Sequence, residues 1–355
     1  MPKSSKNKLL LLVHKLKRTS LSWVAAVKRR VLAFLARRPH RSFRVTDKRD
    51  IRRSLQLPGY FAFTTFVNKT LWKHRKIFLW LAAAYAVLMT VLVGLGSQET
   101  FVTLSTTLQE TGSELFKGSL GEVGKAALIF VSIGATGLAA TPTEAQQVYA
   151  AILGLLIWLT TVWLLRSLLA GHTVKMRDGL YSAGSPIVST FLVAFVLVVQ
   201  LIPAGIALLG YSAASASGLL NGGVEAMLFW AAAILLTVLS LYWITSTFFA
   251  LIIVTLPGMY PGRALRAAGD MVVSRRLRIL LRILWMFLSI MVTGALVLIP
   301  IILLSIGLSN LWPWMQNVPL VPIVLMVFGV MAFIWSASYI YLLYRRVVDD
   351  DARPV

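Results

Sequence analysis

Groups able to do chemistry are few in this chain, and those that cluster are cationic. The four histidines, His14, His40, His74 and His172, stand in basic stretches with no spacing that would let them share a metal ion. There is no cysteine, so no disulfide, thiolate nucleophile or Cys-ligated metal is available. No Gly-rich phosphate loop, Gly-x-Ser-x-Gly elbow or carboxylate pair in a plausible cleft is visible. The expectation is a protein with no catalytic residue, no metal and no cofactor, and not an enzyme. What remains is a set of arginines and lysines suited to phosphate: Lys28, Arg29, Arg30, Arg37 and Arg38 near the start, and Arg263, Arg266, Arg275, Arg278 and Arg282 farther on.

The first set lies on a stretch with helical periodicity. Trp23, Val27, Val31, Phe34 and Leu35 share one face, with Lys28 and Arg29 opposite and Arg30 near the apolar stripe. That pattern suits a helix lying on anionic lipid. It also suits a tail that only fixes orientation. Nucleic acid is a poorer partner, because few aromatic residues interleave with the basic ones. The second set follows two Pro-Gly turns, Pro257-Gly258 and Pro261-Gly262. Arg266 and Asp270 are spaced i, i+4 on a short helix, and Arg275, Arg278 and Arg282 share a face, with Arg282 a turn inside a predicted span. Such arginines either contact anionic headgroups or serve as orientation anchors.

The elements that hold these groups follow from composition. Of the 355 residues 58% are hydrophobic and 14% charged, and the mean hydropathy is +0.78. A soluble domain lacks the polar residues to cover so much apolar surface. The formal charge of +22 is concentrated: residues 1–76 hold 21 of the 35 Lys and Arg and only two acids, Asp47 and Asp50. Six apolar stretches, about 77–95, 148–170, 187–211, 224–256, 277–308 and 319–344, can each cross roughly 30 Å of hydrocarbon. Those at 224–256 and 277–308 are longer than needed and should tilt or project. Residues 126–140 are too short to span and read as interfacial or re-entrant.

Orientation follows from charge. With the N-terminus inside, the inner segments and their adjoining helix ends carry 33 basic residues, and the outer loops carry two, Lys117 and Lys125. The expected organisation is all-α: a basic cytoplasmic tail over 1–76 with amphipathic or interfacial helices, a six-span bundle over 77–344, and a short cytoplasmic tail over 345–355. The expected setting is a bacterial cytoplasmic membrane with both termini inside. Trp72, Trp80, Trp312, Trp314, Tyr341 and Tyr344 fall near the predicted interfaces, where aromatic belts belong.

Deep within the spans the polar groups singled out are uncharged. Gln200, Thr247 and Thr293 could line a cavity, and Pro203 and Pro300 could kink two spans near their outer ends. No Asp, Glu, Lys or His lies deep in any predicted span, which disfavours ion-coupled transport. A weak internal similarity pairs Trp158-Leu159-Thr160-Thr161 with Trp243-Ile244-Thr245-Ser246; each is followed by a basic loop and then a span containing Leu-Ile-Pro, at Pro203 and Pro300. A parallel repeat or shared membrane composition would each produce it.

The segment from Phe249 to Trp285 has an apolar span, Pro257, a short loop, Ala264-Leu265-Arg266 and then Arg275-Arg276-Leu277-Arg278. This resembles the shared element of a broad group of bacterial multipass proteins, including the membrane domain attached to glycerophosphoryl diester phosphodiesterases. Gly59 to Trp80, aromatic and then basic before a span, is similar to the lead into the first helix of that group. Gly269-Asp270 departs from the Ser-Trp or Ser-Phe often found there, and the soluble phosphodiesterase barrel has no counterpart. The resemblance implies a six-helix fold of mostly unassigned function, accessory to lipid handling or export, and carries no catalytic residue across. The functions consistent with all this are an accessory or scaffold protein, with membrane lipid, a membrane-protein partner or a second copy as partner, or an uncoupled permease for a small or lipidic solute. A membrane lipid enzyme would need an acidic metal-binding motif that the sequence lacks.

Overall fold

The computed structural model describes residues 57–94, 143–217, 220, 222–273, 275–311 and 320–351. All belong to one unit, Leu55–Val355, and none to the other, Met1–Ser54. The expectations for Lys28 to Arg38, for the interfacial segment 126–140 and for Trp312 and Trp314 therefore lie outside the described residues.

Among the described residues there are nine helices and no strand. They are α1 (Tyr60–Lys73), α2 (Arg75–Leu92), α3 (Glu144–Leu169), α4 (Met176–Ala183), α5 (Ile187–Ala216), α6 (Val224–Ile253), α7 (Pro261–Val272), α8 (Arg276–Leu311) and α9 (Leu320–Asp351). Six of these, α2, α3, α5, α6, α8 and α9, are long and apolar enough to cross a membrane. The all-α, six-span bundle expected from hydropathy is the observed fold.

Local chemistry sets the helix ends. α3 starts earlier than hydropathy predicts because Thr143 and Gln146 form a reciprocal capping box, with bonds of 2.9 and 3.3 Å. Glu144 in the same turn complements the helix dipole. At the other end Gly171, with φ +86°, takes the left-handed conformation that stops the helix. Pro261 opens α7 from an extended Tyr260, and Gly258, with φ +74°, turns the chain ahead of it. α9 runs seven residues beyond the apolar stretch ending at 344, because charged residues end a membrane segment without ending a helix.

Packing divides the bundle unevenly. Half of the apolar window of α3 is buried, against 11% for α5. α3 is central, with α2 and α9 beside it, whereas α5 lies mainly along α6. The main core gathers Phe63, Tyr85, Ile157, Leu165, Phe249, Ile283 and Tyr339 from α1, α2, α3, α6, α8 and α9. Tyr85 and Thr160 share a buried hydroxyl hydrogen bond of 2.8 Å inside it. A smaller cluster, Leu298, Ile302, Val321 and Leu325, joins α8 and α9 toward their other ends.

α6 shows why its apolar run exceeds a membrane. From Val224 to Tyr242 its rise is about 27 Å, close to one hydrocarbon thickness. This part exposes Met227, Leu228, Leu235 and Val238. At Tyr242 it meets a charge: Arg276 donates to the Tyr242 carbonyl at 3.2 Å and lies 4.0 Å from the centre of its ring. Beyond that point Ile244, Phe249, Ala250 and Ile252 are buried. α7 packs along α6 and buries Ala264, Ala268 and Val272. The surplus apolar residues are thus consumed by protein packing.

Candidate functional site at the basic end

Every described lysine and arginine belongs to the end of the bundle shared by α1, the start of α2, the ends of α3, α6 and α9, α4, α7 and the start of α8. Side-chain contacts tie these pieces together. Arg166 of α3 donates to the Thr255 carbonyl at 3.1 Å and to its hydroxyl at 2.5 Å. Arg275 pairs with Asp350 of α9 at 3.8 Å. Arg346 of α9 lies over Phe66 of α1, 4.9 Å from the ring centre. Glu144 and Glu225 start α3 and α6 at the opposite end.

The predicted headgroup arginines divide into two groups. Arg263, Arg266 and Arg278 are exposed, and Asp270 is exposed one turn from Arg266. Arg275 and Arg282 are buried, at 2% and 6% exposure. Arg282 donates to the carbonyls of Pro58 and Gly59, the latter at 3.3 Å, and lies against the rings of Tyr60 and Phe63. Its charge is used to fasten the chain leading into α1 onto α8.

The five residues singled out within the spans are not gathered into one site. Gln200 and Thr247 bond each other across α5 and α6 at 2.6 Å. Just beyond Pro203, the Ala204 amide donates to Ser240 at 3.1 Å, a second α5–α6 tie. Thr293 donates to the Ser289 carbonyl in its own helix at 2.7 Å and faces a different pair of neighbours. Pro203 and Pro300 both lie inside continuous helices, and Pro300 is exposed. Thr237, Thr245 and Ser289 likewise bond carbonyls of their own helices. These groups are therefore bonded locally or pairwise, whereas the buried Thr161 hydroxyl of α3 has no hydrogen-bond partner among the described residues. Among the described residues no three His, Cys, Asp or Glu side chains come close enough to hold a metal ion.

Thr293 instead lines a lateral groove of about 510 Å³ between α1, α2, α8 and α9. One end is polar: Thr64, Asn68, Trp72 and Arg75. Trp335 of α9 donates to Asn68 at 2.7 Å, and Trp285 of α8 donates to Thr64 at 3.0 Å, so two indoles hold α1 across the groove floor. Arg75 lies 5.1 Å from the ring centre of Trp72. Beyond this end the walls are mainly apolar, with Phe78, Ile290, Val297, Phe328 and Met331, and Ser289 and Thr293 are the polar residues among them.

From sequence Trp72 reads as an interface anchor, and neither Asn68 nor Arg75 stands out. A signal is present nonetheless, since positions 64, 68 and 71 recur at helical spacing and so share a face of α1. The wall from α8 and α9 comes from more than 200 residues away and leaves no local trace. No protein-family model, curated protein or solved structure matches this chain.

Proposed function

We propose that this chain is a non-catalytic multi-pass protein of a bacterial cytoplasmic membrane, accessory to a membrane assembly and engaged in lipid handling, with its basic end toward the cytoplasm. The observation that carries the reading is the Gln200–Thr247 bond together with the placement of Thr293 elsewhere. A permease needs polar groups left available along a path, and here the Thr247 hydroxyl and the Gln200 carbonyl, the two groups best placed to begin one, are bonded to each other. The interior is instead a packed apolar core with its basic side chains turned to tying helix ends or to the surface.

The exposed Arg263, Arg266 and Arg278 support contact with anionic headgroups, each basic residue near such a leaflet contributing about 1 kcal/mol. The resemblance to membrane domains attached to glycerophosphoryl diester phosphodiesterases belongs to this reading. Its supporting feature is the passage from α6 through Pro257 and the amphipathic α7 to the basic start of α8.

Purification from native membranes, with mass spectrometry of both protein and lipid, tests the proposal. A protein partner recovered in stoichiometric amount is the expected result. Solute flux in proteoliposomes of the purified chain, with no partner recovered, would replace it with the permease reading.

A further inference from the structure

We infer that the groove between α1, α2, α8 and α9 is a binding site for one anionic glycerophospholipid. Arg75 and Asn68 would take the phosphate and glycerol region, and the trough beyond them an acyl chain. The inference rests on the lipid-handling part of the reading above and names the lipid class.

Three observations converge on that occupant. The first is polarity along the groove. Its mouth carries a guanidinium, an amide and a hydroxyl, and its far end only apolar side chains. A lipid presents its groups in that order; a peptide or a soluble metabolite does not. The second is length. From Ser289 to Val297 the α8 wall rises about 12 Å, and one leaflet of hydrocarbon is about 15 Å deep. The trough therefore suits a single chain from one leaflet and is too short for a path across the membrane. Its volume, about 510 Å³, falls within the range of ordinary ligand sites.

The third is charge. Arg75 is the one charged side chain in the groove lining; Lys69, Lys73 and Lys76 are exposed on the same stretch of chain, and residues 57–94 contain no Asp or Glu. A zwitterionic head would bring its own cation toward Arg75, whereas a net-negative head meets only opposite charge. Asn68 supplies a directed contact. Its oxygen accepts from the Trp335 indole, which commits its NH2 to donating, and phosphate and ester oxygens are acceptors. The exposed indole of Trp72, its ring centre 5.1 Å from Arg75, fits the level of the headgroups.

The test is native mass spectrometry of the full chain titrated with phosphatidylglycerol and, separately, phosphatidylcholine of matched chains. The wild type should retain one phosphatidylglycerol, at least about fivefold more tightly than phosphatidylcholine. Arg75→Gln should erase that preference by weakening phosphatidylglycerol alone. Thr293→Trp, which fills the trough, should weaken both lipids, whereas Thr293→Ser keeps the space and should bind as wild type. Arg177→Gln, exposed on α4 and outside both the groove and the headgroup arginines, should change neither. Because selectivity is a ratio within each variant, a general loss of folding cannot imitate the Arg75 result.

Equal retention of the two lipids by the wild type, or Thr293→Trp binding as wild type does, would overturn the site. Either result alongside a stoichiometric protein partner would leave the accessory role standing. Selective lipid without any partner would keep the lipid site and remove the accessory role.

Discussion

The guanidinium of Arg282 lies 4.3 Å from the centre of the Tyr60 ring, joining a residue early in α8 to the first residue of α1. The same guanidinium binds the carbonyls of Pro58 and Gly59, which precede that helix. A planar fork is pre-organised to serve two carbonyls and an aromatic face together, whereas an ammonium is a point charge without that fixed geometry. Arg282→Gln should therefore cost about 2–3 kcal/mol, in the range of hydrogen bonds to charged groups, and Arg282→Lys should recover only part of it. Thermal unfolding in nanodiscs measures the loss, and protease cleavage between residues 57 and 60 should quicken alongside it. Unchanged melting in the Gln variant would show that α1 is held without this arginine.

Gln200 and Thr247 make one closed pair, and a double-mutant cycle separates that from two groups serving a solute. Interhelical hydrogen bonds measured this way in membranes average about 0.6 kcal/mol and reach about 1.7. Gln200→Leu and Thr247→Val should each destabilise the α5–α6 pairing, and the double variant should lose less than the sum by about that amount. Strict additivity in the unfolding free energies would mean that the two side chains do not depend on each other.

His74 separates α1 from α2, ahead of the span. Partial burial, followed by the nearby charge of Lys73, lowers its pKa below the ordinary 6.5. A lowered histidine pKa means that the folded state resists the proton that the unfolded chain accepts. Its contribution is therefore present above pH 6.5 and is lost as the pH falls below it. The melting temperature of the wild type should drop more steeply from pH 7 to pH 5 than that of His74→Gln, the difference cancelling the other titrating groups. Parallel slopes for the two proteins would remove His74 from the pH dependence.

The architecture is legible in the sequence because crossing a membrane imposes a length and an apolar composition that short-range sequence carries. The start of α3 lies ahead of the apolar stretch beginning at 148, because the Thr143–Gln146 capping box that sets it is polar and hydropathy passes over it. Nor is the end of α9 legible, where the helix leaves the apolar stretch and continues to Asp351. The depth of Arg282 is readable but its partners are not, since they lie more than 220 residues away and exist only once α1 docks. The groove has half its signal on α1 and none on α8 or α9, because periodicity identifies a face and not what that face meets. In the sequence Gln200 and Thr247 read as polar groups of one cavity. Hydropathy cannot tell a group that waits for a solute from one that has found a partner in the next helix.

The orientation carried by all these assignments is open to a direct measurement. The chain contains no cysteine, so each single-cysteine variant reports one position without background. Arg177 in α4, Arg263 in α7 and Glu225 at the start of α6 are all exposed, and replacing them disturbs no buried contact. Six crossings put α4 and α7 at the same end of the bundle and the start of α6 at the other. In intact cells an impermeant maleimide should label Glu225→Cys and spare Arg177→Cys and Arg263→Cys, both of which should react once the membrane is opened. The charge asymmetry demands this sense, because lysine and arginine accumulate on the cytoplasmic side of short loops. Labelling of Arg263→Cys from outside would invert the bundle. It would also move the groove's cationic mouth to the outer leaflet, away from the anionic cytoplasmic leaflet that supplies its ligand.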